Sequence, residues 1–397
     1  MDDRIIICRK DGFLVTAVFR GKECIRLSVC KASEDFRIGN IYIGRVASIV
    51  PNMNACFADI GTGQNVHVPL EKTEGALTSP SHADGKIHVG DSILLQIDRL
   101  PSKQKAASAT GAVSLVGNAV CLLQGRKGIS FSKKIDVPGF REDIRALFEG
   151  KTGDRCGVML RTNSVSFEKE RILAEYEKLR SDYQEILRRF ECGVPGACLY
   201  RGLPEYMTMF RDEHLSNLDE VVTDDPEVYS EIREYMKAFL PDFSGKLRKY
   251  DSEKVSLYHL YDLAKAFADA LSRTVSLPSG GNLVFDKTEA MTVVDVNSGR
   301  GSALRKKNAL HEMNLEAARE LARQMRLRSL SGMILCDFIS TDSSDDAADL
   351  LTKLREFTKD DRDTDVVDIT KLGIVEITRQ KRDVPLYETV KKLDFTP

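Results

Sequence analysis

The sequence predicts a multidomain α/β protein, and three observations carry that expectation. The chain has 397 residues, enough for two or three domains with cores of their own. From Gly39 the run GNIYIGRVASIVPNMNACFADIG breaks into short alternating strands at Pro-Asn and Gly-Thr-Gly, the spacing of a small antiparallel barrel. Further on, MTVVDVN, NLEAARELARQMRLRSLSG and GMILCDFIST follow one another as strand, helix and strand, a βαβ-like order. The background is that of an ordinary globular protein, 42% apolar and 30% charged. A net charge of -2 sets up no global field for a polyanion, so any basic surface is local. The opening MDDRIIICRKDG holds an apolar run of four residues between charges, too short for a signal peptide, and no stretch reaches membrane-spanning length. Nine cysteines, an odd number without a CxxC, read as reduced thiols of a cytoplasmic protein.

Taken in order, residues 4–30 are β-rich, with IIIC and FLVTAV separated by Asp-Gly. HADGKIHVGDSILLQIDRL closes the barrel with a strand after a polar loop. Phe57 falls in a barrel strand and Lys105 in the basic loop KQK. Exposed aromatics beside lysines are how such barrels hold single-stranded nucleic acid, although a lone strand Phe is more often core. Residues 116–160 continue as strands and turns and end in GVMLRTNS. Ile172, Tyr176, Leu179, Tyr183, Ile186 and Phe190 then recur every three or four positions and predict one long amphipathic helix with a solvated charged face. CGVPGAC breaks it, 198–276 mixes strands and helices, and LPSGG at 277–281 is a turn-rich boundary.

Chemistry concentrates after that boundary. In MTVVDVNSGRGS, Asp295 and Asn297 share one strand face while Val294 and Val296 share the other. A carboxylate in an apolar run is costly unless a cation or hydrogen bonds compensate it. GMILCDFIST repeats the peculiarity with Asp337 near the end of its strand. A βαβ connection lays the two acid-bearing ends side by side, where two carboxylates repel unless a cation stands between them. Oxygen donors without histidine favour magnesium, with manganese as an alternative, over zinc. From Arg300 to Arg328 eight Lys or Arg stand against three Glu, a basic setting that suits a phosphodiester backbone. On the intervening helix Asn314 is the expected N-cap. Leu315, Ala318, Ala322 and Met325 make an apolar stripe, and Arg319, Arg323 and Arg326 a basic one. The competing reading of the same residues is a pair of buried acids satisfied by backbone amides beside a solvated helix.

GGNLVFDKTEAMTVVDVNSGRGS, NLEAARELARQMRLRSLSGMILCDFI and GIVEITRQKR, together with GNIYIGRVASIVPNMNACFADIG and LRTNS, resemble successive blocks of the ribonuclease E/G endoribonucleases, in order along nearly the whole chain. The resemblance implies a ribonuclease H-like subdomain (1–36 and 198–276), an inserted OB-fold RNA-binding barrel (37–115), a 5′-end sensor (116–197) and a deoxyribonuclease I-like catalytic domain (277–397). It implies Asp295 and Asp337 as magnesium ligands, with Asn297 orienting the carboxylate or the scissile phosphate. Arg161 and Thr162 take the place of the pair that reads a 5′-monophosphate. Phe57, His67, Lys105 and Arg379 take the place of RNA contacts. The implied activity is hydrolysis of single-stranded RNA to 5′-phosphate and 3′-hydroxyl ends, in rRNA processing or mRNA decay.

The chain also departs from the family pattern. His67 stands where a second barrel aromatic is common, Asn163-Ser164 follow Arg161-Thr162 in place of small residues, and Ser340 replaces a further acid after DFI. No paired CPxC follows the last block, which ends LYETVKKLDFTP. The expectation is therefore no zinc and no zinc-linked tetramer, with a homodimer left open. The rivals are an RNA-binding or ribosome-associated factor without turnover, and a nuclease acting on DNA.

Overall fold

The computed structural model describes all residues except 1–2, 33–35, 102–104, 154–155, 213–216, 253, 300–308, 341–343, 362 and 382–383. The chain divides into two compact units, one of residues 1–32, 216–234 and 242–397, the other of 33–215 and 235–241.

The first unit holds two sheets. Asp3–Lys10, Phe13–Arg20 and Glu23–Lys31 form an antiparallel meander, and Leu218–Thr223 then Leu247–Lys249 extend it in parallel. The first hairpin turns at Asp11-Gly12, both with positive φ (50° and 82°), the conformation a two-residue turn needs to match strand twist. Ile6, Cys8, Val15, Ala17, Leu27 and Val29 bury one side of this sheet against Leu263 and Phe267.

The second sheet runs in the order Thr274–Ser276, Asn282–Lys287, Met291–Asn297, Gly332–Asp337, Ile374–Arg379, Thr364–Ile369. Met291–Asn297 and Gly332–Asp337 pair in parallel, joined through the helix Ala309–Leu327, as their sequence order predicts. Val294, Val296, Ile334 and Cys336 alternate inward and meet Ala317, Leu321 and Met325 of that helix. Each large apolar side chain so buried contributes about 1.5–3 kcal/mol, so one face of the sheet is fixed and its register with it.

In the second unit Ile41–Val50, Ala55–Asp59, Val66–Pro69, Ser108–Thr110 and Ser92–Arg99 pair successively. Ile41–Arg45 then pairs back with Ser92–Gln96, closing a five-stranded OB-like barrel. Thr78–Ser79 and Cys198–Tyr200 add to its strands. Because Cys198–Tyr200 pairs with Ile41 and Tyr42, residues 198–212, expected from the sequence to join 1–36, pack in the barrel's unit. A four-stranded sheet (Ser114–Val116, Val120–Gln124, Cys156–Leu160, Ile129–Phe131) completes the unit with the helix Lys169–Cys192. That helix buries Ile172, Tyr176, Leu179, Tyr183 and Ile186, the stripe its periodicity predicts.

Candidate active site

Asp295 and Asp337 are direct partners across the parallel pair, each at the exposed end of an inward-outward alternation. Residues so paired lie on the same face of a sheet, with strands about 4.8 Å apart. The sequence puzzle of an acid in an apolar strand is thereby resolved: Thr292, Val294 and Val296 are buried, while Asp295 and Asn297 face solvent on the other side. Asn297 Nδ2 donates to Asp295 Oδ2 at 2.7 Å, which orients that carboxylate. Beneath them the Cys336 thiol is held well up from its ordinary pKa, first by complete burial and then by the charges of Asp337 and Asp295.

The turn beyond Asn297 is built by glycine. Gly299 has φ +68°, and a Cβ there would stand 2.2 Å from the Gly280 carbonyl oxygen, so only glycine fits this close approach of two loops. Asn314 overturns one expectation. It lies within the helix Ala309–Leu327, buried, and not at its N-cap. Its amide instead clamps the backbone just past Asp337, donating to the Ile339 carbonyl at 2.8 Å and accepting from the Ile339 N–H at 3.0 Å. A carboxamide matches both polar groups of an extended residue, and that tertiary match outweighs capping preference.

The basic stripe is also redirected. Arg323 forms a fork with Glu320 and donates to the Cys24 carbonyl, while Arg319 lies 3.5 Å from Glu23. These guanidinium groups tie the helix to the strand Glu23–Lys31. Among the other basic residues of this stretch, Arg328 donates to Gln324 Oε1 and to the Asp269 carbonyl, while Arg300, Arg305, Lys306 and Lys307 lie outside the described residues.

Oxygen atoms from two carboxylates, with a carboxamide beside them, make a donor set that fits a hard divalent cation such as Mg²⁺ or Mn²⁺.

In the barrel, Phe57 and His67 are cross-strand partners, half-buried, with ring centroids 5.7 Å apart in an edge-on arrangement. His67 donates its backbone N–H to Ala107, two residues past the exposed Lys105. The structure thus gathers these three around one part of the barrel wall. Lys103 and Gln104, the rest of the KQK loop, lie outside the described residues.

Arg161 and Thr162 sit at the end of the strand Cys156–Leu160. The Arg161 guanidinium donates to the Gly117 carbonyl at 2.5 Å, the Arg211 carbonyl at 3.1 Å and Asp212 Oδ1 at 2.6 Å. Burial pushes the Asp212 carboxyl up, but Arg211 and Arg161 outweigh it and hold the group below its ordinary pKa. Thr162 Oγ1 is 3.0 Å from Ser132 Oγ. Glu175, which the sequence reading left on a solvated helix face, is buried. It accepts the Ala119 and Val120 N–H groups and so fixes the Gly117 turn behind Arg161. Ala and Val at those positions give no local sign of such a bond.

Arg379 donates to Asp361 Oδ2 at 2.7 Å and to the Leu330 carbonyl at 2.8 Å, with its side chain 12% exposed and that of Asp361 7%. Its geometry is that of an ion pair joining strand ends.

The sequence model of the Ribonuclease E/G family matches residues 114–382. Ribonuclease E of Synechocystis sp. is 28% identical over 98% of this chain and 58% of its own length. Ribonuclease E of Escherichia coli is 28% identical over 95% of this chain and 36% of its own, and ribonuclease G of Salmonella typhimurium 27% over 87% and 73%. The chain thus spans 58% of the Synechocystis relative it matches.

Proposed function

The chain belongs to the ribonuclease E/G family, and we propose on that premise that it is an endoribonuclease hydrolysing single-stranded RNA. One observation carries the reading: Asp295 and Asp337 are register partners on the exposed face of a parallel strand pair, with Asn297 donating to Asp295. A structural protein gains nothing from two neighbouring like charges on adjacent central strands, whereas two oxygen donors so placed hold a divalent cation. When bound, that cation supplies Lewis-acid polarisation of the phosphate and a more acidic water. Asn297 fixes the carboxylate it touches. Asn314 holds the segment after Asp337, so that both acids keep their positions as substrate binds.

In the proposed reaction water adds to phosphorus in line, the P–O3′ bond breaks, and 5′-phosphate and 3′-hydroxyl ends result. Phe57 and His67 offer ring faces to unstacked bases, and Lys105 a charge to the backbone. Arg161 and Thr162 take a 5′-monophosphate, for which the phosphate must compete with Asp212 for the guanidinium. Arg379 carries less of the RNA-binding role, because Asp361 and Leu330 already engage it. In this reading the five-stranded sheet is the ribonuclease H-like part, the six-stranded sheet the deoxyribonuclease I-like part, and the process served rRNA maturation or mRNA decay.

The test is cleavage of one labelled single-stranded RNA carrying a 5′-monophosphate, 5′-triphosphate or 5′-hydroxyl, beside the matched DNA, with and without Mg²⁺. Cation-dependent cutting of RNA, fastest on the monophosphate, is the expected result. RNA bound and never cut under any cation would make the chain a binding factor instead.

A further inference from the structure

The loop that joins the barrel strands Thr78–Ser79 and Ser92–Arg99 gathers four ionisable side chains that the reaction above does not use. His82 Nε2 stands 2.9 and 3.0 Å from the two carboxylate oxygens of Asp91. His88 Nδ1 lies 4.0 Å from Asp91 Oδ2, and the two imidazole centroids are 4.0 Å apart at 70°. One donor atom from each of His82, His88 and Asp91 falls within 4.8 Å of the others. The far nitrogen of His88, Nε2, points to Asp84 Oδ2 at 3.5 Å.

We propose that this loop is a zinc-class metal site, with His82 Nε2, His88 Nδ1 and the Asp91 carboxylate as ligands and a fourth position open to solvent. Two imidazoles and one carboxylate form a mixed nitrogen and oxygen set that suits Zn²⁺, and not the oxygen-only preference of Mg²⁺. Four-coordinate zinc with bonds of about 2.1 Å places its ligands roughly 3.4 Å from one another. The distances of 2.9 and 4.0 Å lie on either side of that value, so ring movements of about half an ångström complete the site.

The supporting contacts are those a metal-bound histidine needs. Asp84 faces the non-ligating nitrogen of His88, the carboxylate–histidine arrangement that fixes tautomer and ring plane. The buried Asp91 carboxylate is aimed by the His88 backbone N–H at 2.7 Å. Its own backbone is locked to the barrel: the Gly90 N–H donates to the Val46 carbonyl and Asp91 accepts from the Val46 N–H. A plain His82–Asp91 ion pair accounts for one imidazole. It leaves unexplained a second imidazole packed against the first and backed by a second acid. This donor set is separate from the C-terminal cysteines whose lack led the sequence to predict no zinc. The spacing H-x₅-H-x₂-D was visible in the sequence, but nothing there placed the three side chains together.

The experiment titrates the full chain, stripped by a chelator, with Zn²⁺ in excess Mg²⁺, for wild type, His82→Gln, His88→Gln and the Asp295→Asn/Asp337→Asn double variant. One Zn²⁺ per chain is expected, with affinity about tenfold or more weaker in either histidine variant and unchanged in the double variant. Co²⁺ in place of Zn²⁺ should give the visible absorption of a four-coordinate site, lost with His88→Gln. His88 is half-exposed, so its variant folds and keeps the comparison decisive. No saturable Zn²⁺ binding by the wild type, or histidine variants that bind Zn²⁺ as tightly as the wild type, would overturn the proposal.

Discussion

Replacing Asp337 with Asn should leave the cation-free protein as stable as before or slightly more so, while removing its response to magnesium. Asp295 and Asp337 are Cα partners, so unit charges about 5 Å apart face each other from adjacent strands. Their repulsion is about 0.8 kcal/mol at the dielectric constant of water and about 3 kcal/mol at an effective value of 20. Both groups are exposed, and salt screens over roughly 8 Å, so the water limit applies and about 0.5–1 kcal/mol is the appropriate range. Asn keeps the shape and removes the charge. In chelator the melting temperature should therefore stay level or rise by about 1–3 °C. With magnesium at ten times its dissociation constant the wild type gains about 1.4 kcal/mol, and the variant little or nothing. The order of the two melting curves should accordingly reverse between chelator and magnesium, while RNA cleavage falls by about 10²-fold or more. A variant that is less stable in chelator by more than about 1 kcal/mol, or one that magnesium stabilises as much as the wild type, would show that the acids are a structural pair.

Gly117→Ala puts a Cβ about 2.1 Å from Glu175 Oε1, displacing the carboxylate that holds the Ala119 and Val120 N–H groups. The expected loss is about 1–3 kcal/mol in denaturant unfolding, together with a collapse of the 5′-monophosphate preference while 5′-hydroxyl RNA is cut as before. Asp361→Asn breaks a buried pair with Arg379, at a cost of about 3–5 kcal/mol by urea unfolding at neutral pH. Burial raises the Asp361 pKa, but Arg379 and Thr364 outweigh it and the folded value lies below the ordinary one. That contribution is complete above the unfolded carboxylate pKa and is lost as pH falls through the folded value, so the variant should show a shallower acid limb of stability.

Much of the architecture is legible in the sequence alone. Ile172 to Ile186 repeat at helical spacing, and the barrel strands are cut by their own turn residues. The parallel placement of Asp295 and Asp337 follows from the chirality and order of a strand–helix–strand unit. Those signals are local or topological, so the sequence carries them without help. What only the tertiary structure decided is which partner each polar side chain takes. Asn314 became a backbone clamp and not a cap, and Arg319 and Arg323 turned to Glu23, Glu320 and Cys24. Arg161 met Asp212 fifty-one positions away, and His82, His88 and Asp91 converged in a loop with no periodicity to announce it. An apolar stripe is selected by burial along one element, and its period survives in the sequence. A hydrogen bond or ion pair is selected by distance and angle between atoms that folding brings together from elsewhere, and no pattern in either stretch records it.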